Sequence, residues 1–219
     1  GGREVGIVLY VADDQGRVFS VHEPYRPFYC LMLEPNGKAP LPESGAPADL
    51  GTATGHRSFV PGSPGLQVGE GWTVREGAWV CNRDEEALLT IPIEPATEFD
   101  LWVCLEARQD AVLGAFVPST RTPSAGEDYI AFVGGYGNTA TRLRLFGEER
   151  GDAAAMLTPG VHTVQLSRRA SGVWVLYDGR PILWSPDPSP SAKVNRLAVI
   201  GGYGGQQRVL EIRTKTGNR

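Results

Sequence analysis

The sequence predicts an all-β protein. Three observations carry this. Helical periodicity is nearly absent, apolar and polar residues alternate along several short runs, and Gly (28) and Pro (17) are spread through all 219 residues as turn signals. That is the pattern of a sandwich or a barrel.

From the N-terminus, "EVGIVLYVADDQGRVFSV" (4–21) predicts a β-hairpin turning at Asp14-Gln15-Gly16. "PYRPFYCLMLEPNG" follows, then a stretch rich in Pro, Gly, Ala and Ser from about 35 to 65. Its few apolar residues cannot bury a core. It is expected as an extended arm wrapping either its own domain or a partner. The chain divides accordingly into 1–65, hairpin and arm, and 66–219, a β-domain.

Within the second part, "FDLWVCLEAR" (99–108) is the clearest strand. Phe99, Leu101, Val103, Leu105 and Ala107 share one face, and Asp100, Trp102, Cys104, Glu106 and Arg108 the other. Side chains alternate across a strand, so the first set faces a core and the second faces water or a groove. "TRLRLF" (141–146) and "HTVQLSRR" (162–169) alternate similarly. "GVWVLYDGRPILW" (172–184) predicts a hairpin, because Asp178-Gly179 suits a type I′ turn. "NRLAVI" (195–200) and "RVLEIRTK" (208–215) complete the strands. "GDAAAMLT" (151–158) and "DEEALL" (84–89) are the two places where a helical turn is expected.

Several of these segments together have the order of a known superfamily. "GWTVREGAWVC" (71–81), "EFDLWVCLEAR" (98–108), "LTPGVHTVQLSRRASGVWVLYDGRPI" (157–182) and "RLAVIGGYGGQQRVLEIRTK" (196–215) follow one another over about 150 residues. This resembles the concanavalin A-like lectin/glucanase superfamily, in particular its laminin-G-like and 3-keto-glycoside-hydrolase-like modules. The resemblance implies a two-sheet antiparallel jelly-roll sandwich for 66–215 and an extracytoplasmic setting, periplasmic, cell-surface or secreted. It leaves function open, because the fold hosts lectins, hydrolases and inert spacers.

Composition excludes some classes. The net charge of −4 gives no basic footprint for nucleic acid, and no apolar run approaches 18 residues, so no membrane span is expected. Cys30, Cys81 and Cys104 lack zinc-type spacing, and are expected as buried free thiols with a Cys81–Cys104 bridge as the alternative. No cofactor is expected. Calcium has only scattered donors, such as Asp13-Asp14, Asp84-Glu85-Glu86 and Glu127-Asp128, none in a calcium-loop pattern.

Catalysis is not expected. Glucanases of the resembled superfamily carry three acids on one strand; here Glu98 and Asp100 are present, but Trp102 and Val103 occupy the places of the third. His22, His56 and His162 have no evident nucleophile.

One repeat stands out: "AFVGGYGN" (131–138) and "AVIGGYGG" (198–205). Each follows an apolar strand and precedes another, so neither is a phosphate loop. Glycines leaving a strand at a sandwich edge account for the motif structurally. As a site, the two loops share a rim where Tyr136 and Tyr203 flank a ligand and Asn138, Gln206 and Gln207 bond to it. Trp102, on its strand's polar face, is a further candidate platform. The expected function is a non-catalytic interaction module: an accessory or structural subunit docking a larger membrane-associated or cell-surface assembly through its arm. The alternatives are a carbohydrate-binding, lectin-like module and a glycoside hydrolase or lyase.

Overall fold

The computed structural model describes residues 9–12, 18–21, 33–35, 41–42, 44–119, 128–153, 157–202 and 206–217. The chain forms two compact units, Gly1–Pro40 and Leu41–Arg219. The first holds β1 (Leu9–Ala12), β2 (Val18–Val21) and β3 (Leu33–Pro35) in one antiparallel sheet. Leu9 pairs with Val21 and Ala12 with Val18, which is the expected hairpin.

In the second unit the strands are β4 (Arg57–Phe59), β5 (Gln67–Val68), β6 (Trp72–Arg75), β7 (Ala78–Cys81), β8 (Ala87–Ala96), β9 (Glu98–Ala107), β10 (Ala111–Phe116) and β11 (Asp128–Gly134). They continue as β12 (Ala140–Leu145), β13 (Glu148–Ala153), β14 (Val161–Arg169), β15 (Gly172–Tyr177), β16 (Arg180–Ser185), β17 (Val194–Gly201) and β18 (Gln207–Gly217). One sheet runs β13-β12-β11-β10-β17-β8-β5, the other β16-β15-β14-β9-β18-β7-β6, with β4 added on β18. All recorded pairings are antiparallel. The fold is a two-sheet sandwich.

Period-two burial builds its core. Phe99, Leu101, Val103, Leu105 and Ala107 of β9 all face inward, as do Val164 and Leu166 of β14. Leu113 and Val199 meet them from the facing sheet. Each of the larger side chains contributes about 1.5–3 kcal/mol by leaving water. Asp178 and Gly179 have φ of 47° and 72°, the left-handed pair the β15–β16 turn needs.

Neither expected helical turn is found among the described residues, and 154–156 of the first segment lie outside them. Residues 148–153 pair with β12, and 87–89 open β8, where Ala87 and Leu89 join the core. Burial and ladder hydrogen bonds override the weak helical propensity of a few Ala, Glu and Leu residues. The helical residues described are a single turn, α1 (Gly135–Asn138), inside the first GGYG motif.

At 45–59 the arm lies on its own domain, one of the two expected outcomes, but the boundary differs. The units divide at 40/41 rather than 65/66, and residues 45–59 belong to the sandwich. Cys81 and Cys104 are free thiols, not a bridge: Cys81 sits in the core and Cys104 on the opposite face of its sheet. Cys30 lies outside the described residues.

Candidate functional site

Two regions collect the polar side chains singled out by sequence. The first is the outer face of the sheet containing β9. Asp100 and Trp102 are 2% and 5% exposed there, not open to a groove. Residues 45–52 lie over them. Gln165 accepts the Leu50 N–H through Oε1 at 2.8 Å and donates through Nε2 to the Ala48 carbonyl at 3.1 Å. Ser171 donates to the Gly45 carbonyl at 3.0 Å. Leu50 itself is buried. A side-chain amide thus takes the place of a strand partner for the covering segment.

Beneath it, Arg169 grips Asp100 with both carboxylate oxygens at 2.6 Å, and Ser167 donates to Asp100 at 2.7 Å. The Asp100 carboxylate, one of the two acids of the glucanase comparison, is thus tied into the sheet. The Arg213 guanidinium lies 4.6 Å from the Trp102 ring centre and donates to the Gly51 carbonyl at 2.7 Å. Trp102 is therefore an interior platform for the chain's own arginine and cover.

Glu211 orients that arginine, with contacts of 2.8 and 3.1 Å, and accepts from Ser58 at 2.6 Å. The Arg213 hydrogen bonds hold the Glu211 carboxyl below its ordinary range; burial pushes the other way, and Ser58 adds to the lowering. A depressed folded pKa contributes stability above the unfolded value, about 4.3, and that contribution is lost as pH falls through the folded value. Acid titration below about pH 4 is therefore expected to loosen the 45–52 cover, and Glu211→Gln to flatten that part of the stability profile. Tryptophan fluorescence against pH measures both.

The second region is the rim. Central β10 pairs with β11 on one side and β17 on the other: Ala111 faces Val133, and Val112 faces Ile200. The GGYG motifs follow Val133 and Ile200, so they leave the sheet at one end, two strand spacings or about 10 Å apart. Between them Asp110 donates its N–H to the Gly134 carbonyl at 2.9 Å, while the Gln207 amide donates to the Asp110 carbonyl. One glycine in each motif, Gly134 and Gly202, is fixed by geometry. Gly134 has φ 63°, and a Cβ there would lie 2.6 Å from Asn138 Oδ1. Gly202 has φ 116°, and a Cβ would collide with the Glu85 carbonyl oxygen.

Next to this edge opens a cavity of about 480 Å³. Glu106 and Arg108 come from the end of β9, Asn138 from α1, Thr158 from the β13–β14 loop, and Gln206 and Arg208 from the start of β18. Sequence reasoning named Asn138 and Gln206, and the fold brings them to one cavity. Asn138 has a structural task there: its amide donates to the Leu157 carbonyl at 2.8 Å and accepts the Leu157 N–H at 2.7 Å. Gln206 is exposed. Gln207, by contrast, is 3% exposed and holds the loops together. The backbone of Tyr136 lies in α1, and Tyr203 lies outside the described residues.

Sequence reasoning missed Glu106, Arg108, Thr158 and Arg208. Their convergence depends on which loops meet at the sandwich end, and no local pattern encodes that.

His162 supports this cavity. Its Nδ1 lies 2.8 Å from Asp178 Oδ2 and its Nε2 2.8 Å from Thr158 Oγ1, with the ring stacked on Tyr177 at 5.1 Å. Asp178 also accepts the Thr163 N–H at 2.9 Å. A hydroxyl, an imidazole and a carboxylate stand in line, in the order of a nucleophilic relay. Here the line ties the 157–160 wall to the β15–β16 turn. His56 Nδ1 lies 3.0 Å from the Ala53 carbonyl oxygen, and His22 is outside the described residues. Among the described residues no group of three His, Cys, Asp or Glu could hold a metal ion, and no helix is long and apolar enough to cross a membrane.

No family model matches the chain, and no curated protein matches it in sequence. Solved structures do. The carbohydrate-binding module CBM66 from Bacillus subtilis superposes with a TM-score of 0.53 at 9% identity, over 69% of this chain and 96% of that one. The concanavalin A-like jelly roll is this protein's fold. The potassium-bound Emp46p carbohydrate recognition domain matches the jelly roll with a TM-score of 0.52 at 8% identity, covering 71% of this chain and 90% of that one. The exoplasmic/lumenal domain of VIP36, in a Ca2+/Man3GlcNAc-bound form, matches at 0.51 and 10% identity, covering 74% and 89%. At such identities the likeness is one of fold.

Proposed function

We propose that the jelly roll is a non-catalytic, extracytoplasmic glycan-binding module whose site is the rim cavity. One observation carries this reading: the cavity gathers Arg108, Thr158, Gln206 and Arg208 from three separate chain segments around a space large enough for a sugar unit. The likeness to carbohydrate-binding modules and lectin domains supports the ligand class. The neighbour described as exoplasmic or lumenal supports the compartment. Tyr136 and Tyr203, carried by the two GGYG motifs, are proposed to flank the ligand.

The docking role expected of the arm loses part of its basis. It rested on a segment with little core of its own needing something to lean on. Residues 45–59 lean on their own sandwich, through Gln165, Ser171 and the pairing of β4 with β18. A protein partner therefore retains that argument only for residues before 41.

Calorimetric titration of the full chain against neutral and charged oligosaccharides at millimolar concentration tests the reading. Saturation is expected, with Gln206→Ala weakening it roughly 2–10-fold, the worth of one neutral hydrogen bond. Trp102→Ala is expected to lower stability and leave affinity unchanged. Binding that disappears with Trp102→Ala in a still-folded protein, and ignores Gln206→Ala, moves the site to the sheet face.

A further inference from the structure

The charges around the rim point to a narrower ligand class. We propose that the cavity takes an acidic sugar, a uronic acid within a glycan, and that Arg108 holds its carboxylate. This deepens the rim reading above and rests on it.

The ionisable side chains lining the cavity are Glu106, Arg108 and Arg208. Glu106 is neutralised by Arg208, whose Nη1 donates to it at 3.0 Å. Arg208 is also 3.7 Å from Glu76. Arg108 is exposed and has no ion-pair partner among the described residues. Among the described residues lining the cavity, Arg108 is thus the cation without an ion-pair partner. A cavity of this kind selects for negative charge.

Geometry adds to charge. Arg108 begins the β9–β10 turn, and that turn is pinned from both sides: the Asp110 N–H to Gly134, the Asp110 carbonyl to the Gln207 amide. The backbone carrying the guanidinium is ordered before any ligand arrives, which lowers the entropy lost on binding. A planar guanidinium matches a carboxylate with two parallel hydrogen bonds, which a neutral hydroxyl cannot accept in that form. Thr158 and Gln206 line the same space and can bond to the ring hydroxyls.

The test is titration of the full chain with trigalacturonide and triglucuronide, with the methyl esters of both, and with a sulfated trisaccharide. At least one free acid is expected to bind about tenfold or more tightly than its ester, the factor a charge-assisted hydrogen bond supplies. That advantage should shrink with added salt. Arg108→Ala is expected to abolish the preference with an unchanged thermal midpoint, and Arg108→Lys to restore part of it. Equal binding of acid and ester overturns the inference, and so does a preference that survives Arg108→Ala. Binding of the sulfated sugar alone overturns the carboxylate assignment. If neither acid binds but a neutral oligosaccharide does, and Gln206→Ala weakens it, the inference falls and the rim reading stands. Absence of all binding removes both.

Discussion

Arg168→Ala is expected to cost about 3–5 kcal/mol of folding stability, the range for breaking a buried ion pair from one side. Arg168 is fully buried and Asp187 nearly so, with Nε 2.7 Å from the carboxylate. Its other nitrogens donate to the Ala192 and Ser189 carbonyls at 2.5 and 2.7 Å, and its guanidinium lies 4.7 Å from the Tyr129 ring centre. Truncation leaves the Asp187 carboxylate without its counter-ion, with only the Ser189 N–H and the Tyr129 hydroxyl as donors among the described residues, and removes the Ala192 carbonyl's partner. Stranded charge in a site this dry costs more than the pair itself contributes. Arg168→Lys is expected to lose most of the same stability, since one ammonium cannot reach three acceptors held by a planar fork. Replacing both charges, as Arg168→Met with Asp187→Leu, should cost less than the two single changes summed, because no ion is left unpaired. Urea unfolding at constant m-value measures all three. A loss of under about 1 kcal/mol for Arg168→Ala would place the pair in solvent.

That network bears on how much of the molecule was legible in its sequence. The inward faces of β9 and β14 could be read directly, because a strand writes its buried face every second residue. The Asp178-Gly179 turn was legible for a similarly local reason: both positions need positive φ. Arg168 was not. It falls on the same face as Val164 and Leu166, opposite Phe99, so period two puts a charge on the core side, and only the 186–192 loop, through Asp187, Ser189 and Ala192, supplies the partners that make it tolerable there. The outer face of the other sheet is a second case. Ala111–Phe116 is buried along its whole length, with Val112 and Phe116 in a second apolar cluster beside Ile130 and Ile200. The run AVLGAF has no polar residue, as burial on both faces requires, and it is not among the strands that alternation marks. The candidate site divides along the same line. The twin GGYG motifs announced a shared rim because each follows a strand of similar length, whereas Arg108, Arg208 and Thr158 reach it through tertiary closure. Asn138 was legible as a residue of the rim but not in its role, since its amide is engaged by Leu157.

Leu50→Ala is expected to cost about 2–5 kcal/mol, the range for truncating a buried leucine. Leu50 is only 1% exposed, although it lies in a stretch whose composition suggests a loose arm. Its N–H bond to Gln165 survives truncation, so the loss measures the apolar contact of the cover with the sheet. Gln165→Ala removes the complementary part. It leaves the Leu50 N–H and the Ala48 carbonyl without their partner, at about 1–3 kcal/mol. The two costs should not add, because both residues act on the same short segment. Loosening the cover should also admit water to Trp102 and Trp174, so emission shifts to the red below the unfolding transition. Binding then separates the two places a ligand could sit. If the rim cavity is the site, Leu50→Ala lowers the melting temperature and leaves oligosaccharide affinity unchanged. If the sheet face beneath residues 45–52 is the site, the same substitution raises affinity, because the ligand no longer has to displace a packed leucine. The sign of that change is independent of how much stability is lost.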